Sequence, residues 1–395
     1  MICSRTDGFV AWLAVGAGLI CAAPAGLAQS YTILDLGTLG GYMSRGFGLN
    51  NFNHVVGSAF TADAALHGLL WNQGLNEILP LPGNLQSEAF GINDGNVAVG
   101  MSYNMGQQVM NGILFANGQA TALGPIGARG INNLGEVVGY LSLNDPNFGW
   151  VDHAAHWSGG ALTDLGTLGG HFAYLYAIND RAQAVGLSFM TGDNVTHAAL
   201  WKNGVWKDLG TLGGANSGAY SISNIGFVAG FSDTTAGEQH AFLYTVDPSG
   251  NVLTRQDLGV LGGGYSYAYG VNDLGDVVGT SFDAAFLWNG ASLADLNTLI
   301  PPGTGWHLNS AWGINNEGAI AGTGTLNGAP HAFLLLPRIC ADLNGDHLVD
   351  LSDLAALLAA FGCTGGTCVG DLDQNGSTDL ADLATLLAQY ATTCP

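Results

Sequence analysis

Two twelve-residue stretches near the end of the chain carry its sharpest chemical signal. DLNGDHLVDLSD begins at Asp342 and DLDQNGSTDLAD begins at Asp371. Each sets oxygen-bearing side chains at positions 1, 3, 5, 9 and 12, with a backbone carbonyl due at position 7, the spacing by which a short loop wraps a calcium ion. The ligands expected in the first loop are Asp342, Asn344, Asp346, Leu348 through its carbonyl, Asp350 and Asp353. In the second they are Asp371, Asp373, Asn375, Ser377 through its carbonyl, Asp379 and Asp382. Two calcium ions are therefore expected, because carboxylates crowded this closely repel one another unless a divalent cation relieves them. Gly376 fills the sixth position, where the loop must turn sharply, whereas His347 stands there in the first loop and weakens that site. Behind each loop runs an apolar stripe of helical spacing, Leu354, Leu357, Leu358 and Phe361 in one and Leu383, Leu386, Leu387 and Tyr390 in the other. The matching stripes predict two helices packed face to face.

This duplicated loop-helix unit ends each loop in Asp and is flanked by FGC and TTC. It resembles the dockerin family, over Cys340 to Pro395. The resemblance implies a module that folds around calcium and attaches its protein to a cohesin-like scaffold or surface protein. Cellulosomal dockerins read their partner with a Ser-Thr pair near loop positions 10 and 11. Here Leu351 and Ser352, then Leu380 and Ala381, occupy those places, so the partner's identity does not carry over.

The chain opens with Arg5, an apolar run from Phe9 to Ala23 and the small residues GLA ending at Ala28. That is the layout of a secretory signal peptide spanning 1–28, and the run is shorter than the roughly 20 apolar residues needed to cross a bilayer. No later segment is apolar enough to be transmembrane, so a secreted protein is expected, extracellular or held at the cell surface. Of six cysteines, Cys3 and Cys21 leave with the leader, and the other four fall in one small exported segment, which reads as disulfides. If the two helices run antiparallel, the end of each lies beside the other's loop, which pairs Cys340 with Cys394 and Cys363 with Cys368. Joining Cys340 to Cys363 would cross a helix of about 12 residues, roughly 18 Å long, against the ~7 Å limit between bridged Cα atoms.

Ahead of this tail the chain repeats itself. DLGTLGG is written at Asp35, Asp164 and Asp208, with DLGVLGG at Asp257, and a glycine closing phrases such as EVVG recurs at Gly57, Gly100, Gly139, Gly186, Gly230, Gly279 and Gly322. The seven copies lie roughly 40 to 50 residues apart, a period that signals a propeller or a solenoid. Each copy reads as four short strands, as in AYGVNDLGDVVG, AAFLWNG and LADLN. The NDLG-type turn needs a left-handed residue in fourth place, and Asn53, Asn96, Gly135, Ala182, Gly226, Gly275 and Gly318 stand there. The first strand phrase, TILDLG, belongs to the fourth place of a copy, and the last, HAFLLL, to the third. A chain so offset closes a ring by lending its first strand to its last blade, which removes exposed sheet edges. The expected fold is mainly β: a seven-bladed β-propeller over 29–337, an open solenoid being the alternative, followed by the small helical module over 340–395. The 62 glycines among 395 residues agree with so many tight turns.

The phrases HAFLY, DLGTLGG and AYGVNDLGDVVG resemble the HAF repeats of bacterial extracellular proteins, from Tyr31 to Pro337. That likeness implies repeated β structure and little about activity. A residue that recurs blade after blade serves the fold, which makes the refrain aspartates turn caps and leaves the histidines His67, His153, His197, His240 and His331 bonded to backbone within their own blades.

Function is sought where the repeat breaks. Residues at the start of each innermost strand form a variable column, Arg45, Glu88, Gly127, Tyr174, Gly218, Tyr267 and Ser310. Two residues on, aromatic side chains occupy every blade except the third, which has Arg129. Arg45, Glu88 and Arg129 thus face one sector of the channel mouth, as a site for a carboxylated sugar or as an ion pair pinning the blades. Long insertions bring Trp150 and Trp306 to the same side, where aromatic rings stack on sugars. With eight Lys and Arg against thirty Asp and Glu, a net charge of −22, nucleic acid and anionic membranes are excluded as partners. No Ser-His-Asp order, zinc motif or phosphate loop appears. The expected function is a non-catalytic binding module, with polysaccharide as partner; the alternative is a polysaccharide-degrading hydrolase or lyase.

Overall fold

The computed structural model describes residues 31–106, 109–337, 340–344, 346, 348–364, 368–372 and 376–392. The expected leader, 1–28, lies outside them. The repeat folds into seven four-stranded antiparallel sheets. Blade one runs outward from the channel as Gly40–Leu49, Val55–Thr61, Leu66–Trp71 and Leu75–Ile78. Blade seven takes Trp306–Ile314, Ile320–Leu326 and Ala329–Pro337 from the end of the repeat and Tyr31–Asp35 from its start. Tyr31 lies opposite Pro337 and Asp35 opposite Phe333, so the first strand closes the last blade and the solenoid is ruled out.

The core lies between blades. Middle strands such as Gln239–Val246 are covered on both faces, which is why Ala241, Phe242, Leu243 and Tyr244 form a continuous apolar run where a half-exposed strand would alternate. Phe242 and Tyr244 stack at 3.9 Å and pack with Val185, Leu200 and Leu209 of the preceding blade.

The recurring glycine follows from a kink. Every innermost strand carries a β-bulge, between Gly46 and Gly48 in blade one and at the matching place in the other six. The bulge drives a carbonyl against the second strand. A Cβ at Gly57 would sit 1.8 Å from the Arg45 oxygen, and one at Gly186 would sit 1.8 Å from the Tyr174 oxygen, so only glycine fits. The turn column behaves as expected: all seven residues have positive φ, including Ala182 at 55°.

DLGTLGG is also accounted for. The Asp164 carboxylate accepts the Gly166 N–H at 2.8 Å and pairs with His153 Nδ1 at 3.0 Å, while the Thr167 hydroxyl accepts from Gly169 and donates to the Gly170 carbonyl. The His–Asp pair recurs at His197 with Asp208, His240 with Asp257 and, across the ring closure, His331 with Asp35, although Val260 replaces the threonine in the Asp257 copy; His67 uses Glu77. The histidines therefore bond the neighbouring strand's carboxylate, correcting the expected backbone partner.

On the face of the tight turns, Asn and Asp side chains bind blade to blade. The Asn51 N–H donates to Asp94 Oδ1, that of Asp94 to Asn133 Oδ1, and so on through Asp180, Asn224, Asp273 and Asn316 back to Asn51. Amide and acid alternate around this belt. Each carboxylate can thus take amide N–H groups from its neighbours, as Asp94 Oδ2 does from Asn51 at 3.0 Å and Asn133 at 3.2 Å. Seven is odd, so alternation must fail once, and it fails between Asn316 and Asn51.

In the tail, α1 (Leu351–Ala360) and α2 (Leu380–Ala388) each begin on a capping box, Asp350 with Asp353 and Asp379 with Asp382. Leu354, Leu357, Leu383 and Leu386 join Ala341, Val349 and Leu372 in one core. The rest of each expected stripe is not buried: Leu358 is 51% and Leu387 53% exposed, because residues i and i+3 already fill the narrow contact. Val349 exchanges hydrogen bonds with Ala391 and Thr392 beyond α2, and Thr378 does so with Gly362 and Cys363 beyond α1. Each helix end therefore lies beside the other's loop. Cys363 and Cys368 form a disulfide. Cys340 is also disulfide-bonded, and its expected partner Cys394 lies outside the described residues.

Candidate functional site

The bulge that dictates the glycine column also builds the channel lining. Its extra residue is Phe47, Phe90, Arg129, Tyr176, Tyr220, Tyr269 and Trp312 in blades one to seven, turned toward the axis by the local kink. These side chains touch in sequence around the axis. Phe47 lies 5.5 Å from Phe90 and 5.6 Å from Trp312, Trp312 stacks on Tyr269 at 4.1 Å, and Tyr220 is 5.3 Å from both Tyr269 and Tyr176. Arg129 fills the remaining place, its guanidinium carbon 4.1 Å above the Phe90 ring and 5.9 Å from that of Tyr140.

Above this collar opens a cavity of about 450 Å³ lined by Arg45, Glu88 and the seven collar residues. The sector named from sequence is thus assembled: Arg45, Glu88 and Arg129 face one space. They do not pair. Among the described residues neither arginine has an ion pair or hydrogen bond, and Arg129 Nε is buried without a partner. That excludes the ion pair between blades. An unpaired guanidinium in a partly desolvated place is costly to the fold, so its retention points to a ligand. Glu88 Oε2 accepts the Tyr103 hydroxyl at 3.2 Å, which leaves Oε1 to the cavity. Burial raises the pKa of the Tyr176 hydroxyl, with the Arg129 charge pulling the other way; burial also lifts Tyr269 to about 12 and Tyr220 further.

The rim between and beyond these charges is aromatic, and half of it was missed from sequence. Gly127 faces Tyr140 and Gly218 faces Phe231 across the first two strands. A Cβ at Gly127 would strike the Tyr140 ring at 2.3 Å, and one at Gly218 the Phe231 ring at 2.7 Å. The two glycines of the variable column therefore mark where a second-strand aromatic leans over the opening. Tyr140 meets Tyr174 at 5.3 Å beside Arg129, and Phe231 meets Tyr267 at 5.1 Å on blades five and six, across the ring from Arg45 and Glu88. The signal was legible: an aromatic follows the recurring glycine only in GY and GF, opposite these two glycines.

The two tryptophans part company. Trp150 is 67% exposed on the long hairpin of blade three, beside Phe148, whose ring lies 3.9 Å from that of His171. Trp306 is half-buried edge-on against Phe333 and His331, packed on the core between blades six and seven. Neither lines the cavity.

In the tail, Asp353 and Asp382 are fully buried, and each carboxylate accepts N–H groups from the start of its own loop and from position 9. Asp346 N–H donates to Asp342 and Asn344, Gly376 N–H donates to Asp371, and Gly376 has φ of 87°. Asp371 Oδ1 is buried with no hydrogen-bond partner, as an oxygen directed at a cation would be. Asp342, Asn344, Asp346, Leu348, Asp350 and Asp353 share the first loop; of the second, Asp373 and Asn375 lie outside the described residues. Among the described residues no three acidic, His or Cys side chains gather into one cluster. The donor set and the orphaned Asp371 oxygen fit calcium. No helix among them is long and apolar enough to cross a membrane.

No family model matches the chain, and no curated protein matches it. Solved structures do. A gluconolactonase from Xanthomonas campestris is 9% identical, with 80% of this chain and 93% of that one covered at a TM-score of 0.40. The WD40 β-propeller domain of Doa1 is 13% identical over 77% of this chain and 97% of its own, TM-score 0.36. A puromycin hydrolase is 13% identical over 74% of this chain and 53% of its own, TM-score 0.38. No activity is carried over from them.

Proposed function

We propose that this protein is a secreted, non-catalytic binding propeller that holds a glycan at its channel mouth and is attached to a surface or scaffold through its C-terminal module. The observation that carries this reading is the break in the collar: Arg129, unpaired, in the one place where six other blades set an aromatic. A need of the fold would recur in every blade. The cavity volume, about 450 Å³, falls within the ~300–1,000 Å³ usual for small-ligand sites. Of the nine residues lining it only Glu88 is an acid, whereas the common routes of glycoside hydrolysis use two carboxylates flanking one bond.

The tail reads as a dockerin-like plug. In it Asp342, Asn344, Asp346, Asp350 and Asp353, with Asp371, Asp373, Asn375, Asp379 and Asp382, would hold two calcium ions, helped by the Leu348 and Ser377 carbonyls. Bound calcium would neutralise the loops and fix the two helices for a cohesin-like partner. Passing the full mature chain over immobilised polysaccharides, while assaying for released sugar, tests the reading. Retention without release is expected. Release of sugar would establish the enzymatic alternative, and failure to bind any glycan would overturn the proposal.

A further inference from the structure

We infer that the channel mouth reads the anionic end of a glycan chain, a terminal uronate, and does not bind uronates in the interior of a chain. This rests on the reading of the propeller as a glycan-binding module and narrows its ligand. Three observations carry it.

The blades close a full ring, so the cavity is walled on every side and open along the axis. A polymer can lie across an open groove, but it reaches a residue inside a ring only end first. The collar side chains below the mouth meet ring to ring around the axis, with centroids 4.1 to 5.6 Å apart, and narrow the channel at the level of Arg129.

The second observation is chemical. Arg129 sits two residues inside the mouth, its guanidinium carbon 4.1 Å from the Phe90 ring centre and its Nε buried and unsatisfied. A planar donor held in this way matches a carboxylate, which takes two parallel N–H bonds, better than it matches a lone hydroxyl. Arg45, at the rim, adds a second unpaired positive charge on the same side. Third, the rest of the cavity wall is built of aromatic rings, Tyr220, Tyr269 and Trp312 among them, which offer a face to the apolar side of a pyranose while Glu88 Oε1 accepts from its hydroxyls. The charged side anchors the acid, and the aromatic side orients the ring.

The test uses the full mature chain and defined oligosaccharides in calorimetric titrations. Oligomers of galacturonate, glucuronate and mannuronate are compared with their carboxyl-reduced counterparts, with the same oligomers capped at each end by a neutral sugar, and with free monosaccharide uronates. At least one acidic series is expected to bind with an affinity that stops rising after two or three units, and capping or carboxyl reduction is expected to weaken it by more than about tenfold. Arg129→Gln is expected to cause a similar loss for the acid and none for the reduced sugar; Arg129→Lys restores part of it. Melting temperature and near-ultraviolet circular dichroism separate unfolding from lost recognition. Equal binding of capped and uncapped acids would overturn end recognition. Monomers binding as well as oligomers would make the ligand a free acid and overturn the glycan end. Tight binding of neutral glycans alone would overturn the inference and leave the binding module standing, and no binding to any sugar would remove both.

Discussion

The alternating belt on the tight-turn face makes a prediction that ordinary side-chain deletion does not. Asp94 accepts the Asn51 N–H at 2.9 Å and two side-chain amides, from Asn51 and Asn133, on one oxygen. Asp94→Asn keeps the shape and the first bond but turns that oxygen into a third donor among donors. Hydrogen bonds to charged groups contribute about 1.5–3 kcal/mol each when shielded. The belt is only part-buried, so solvent screening lowers the expected loss to roughly 2 kcal/mol in all. For a propeller of roughly 300 residues that is a fall in melting temperature of about 3 °C. Asn51→Asp alone should also destabilise, because it sets two carboxylates side by side. Together the two substitutions restore alternation and only move its single break from the Asn316–Asn51 junction to the junction of positions 94 and 133. The double variant should therefore melt within about 1 °C of the parent, a coupling of the size double-mutant cycles resolve. Differential scanning calorimetry of the four proteins measures it. Additive losses would refute the alternation argument and reduce the belt to seven independent turns.

Other consequences follow from single positions. Ala182 holds positive φ where other blades have Asn or Gly, so Ala182→Gly should raise stability by about 0.5–1 kcal/mol. Gly226→Ala, at φ 102° with a new Cβ 2.4 Å from the Val246 oxygen, should cost more than about 2 kcal/mol in denaturant unfolding. The channel tyrosines Tyr176, Tyr220 and Tyr269 have pKa values raised by burial, Tyr269 to about 12. Folding is then favoured fully below the unfolded tyrosine value of about 10 and loses stability as pH rises toward the folded values. A spectrophotometric titration should show these channel tyrosines ionising only on alkaline unfolding; their ionisation near pH 10 in the still-folded protein would contradict the collar. Chelator should expose α1 and α2 of the full chain to protease and added calcium should protect them, while Asp371→Ala weakens that protection; indifference to both would count against the calcium loops.

How much of this was readable beforehand depends on where the information sits. Blade number, strand count, ring closure and the turn column could all be read, because repetition writes the same backbone demand seven times and only a few residue types meet it. Arg129 was readable for the opposite reason, as a departure from a filled column. Whether it would pair with Glu88 was not, since that depends on the width of the ring, which no local pattern encodes. The rim aromatics Tyr140 and Phe231 were encoded but only across strands, through the glycine that faces each of them. The partner of the repeated histidine was misjudged because the strand register that sets His153 beside Asp164 is itself irregular there. Trp306 looked like a rim aromatic from its place in an insertion, yet apolar surface between two blades was available to bury it.

The central claim is that the ligand sits inside the channel mouth against Arg129. A crystal structure of the protein with a bound acidic oligosaccharide is the decisive measurement. Density is expected for a terminal carboxylate within hydrogen-bond distance of the Arg129 guanidinium, its sugar ring facing Tyr220, Tyr269 and Trp312, and further units leading out through the mouth. Density lying along the outer blades or on Trp150, with the cavity above the collar left to water, would contradict it.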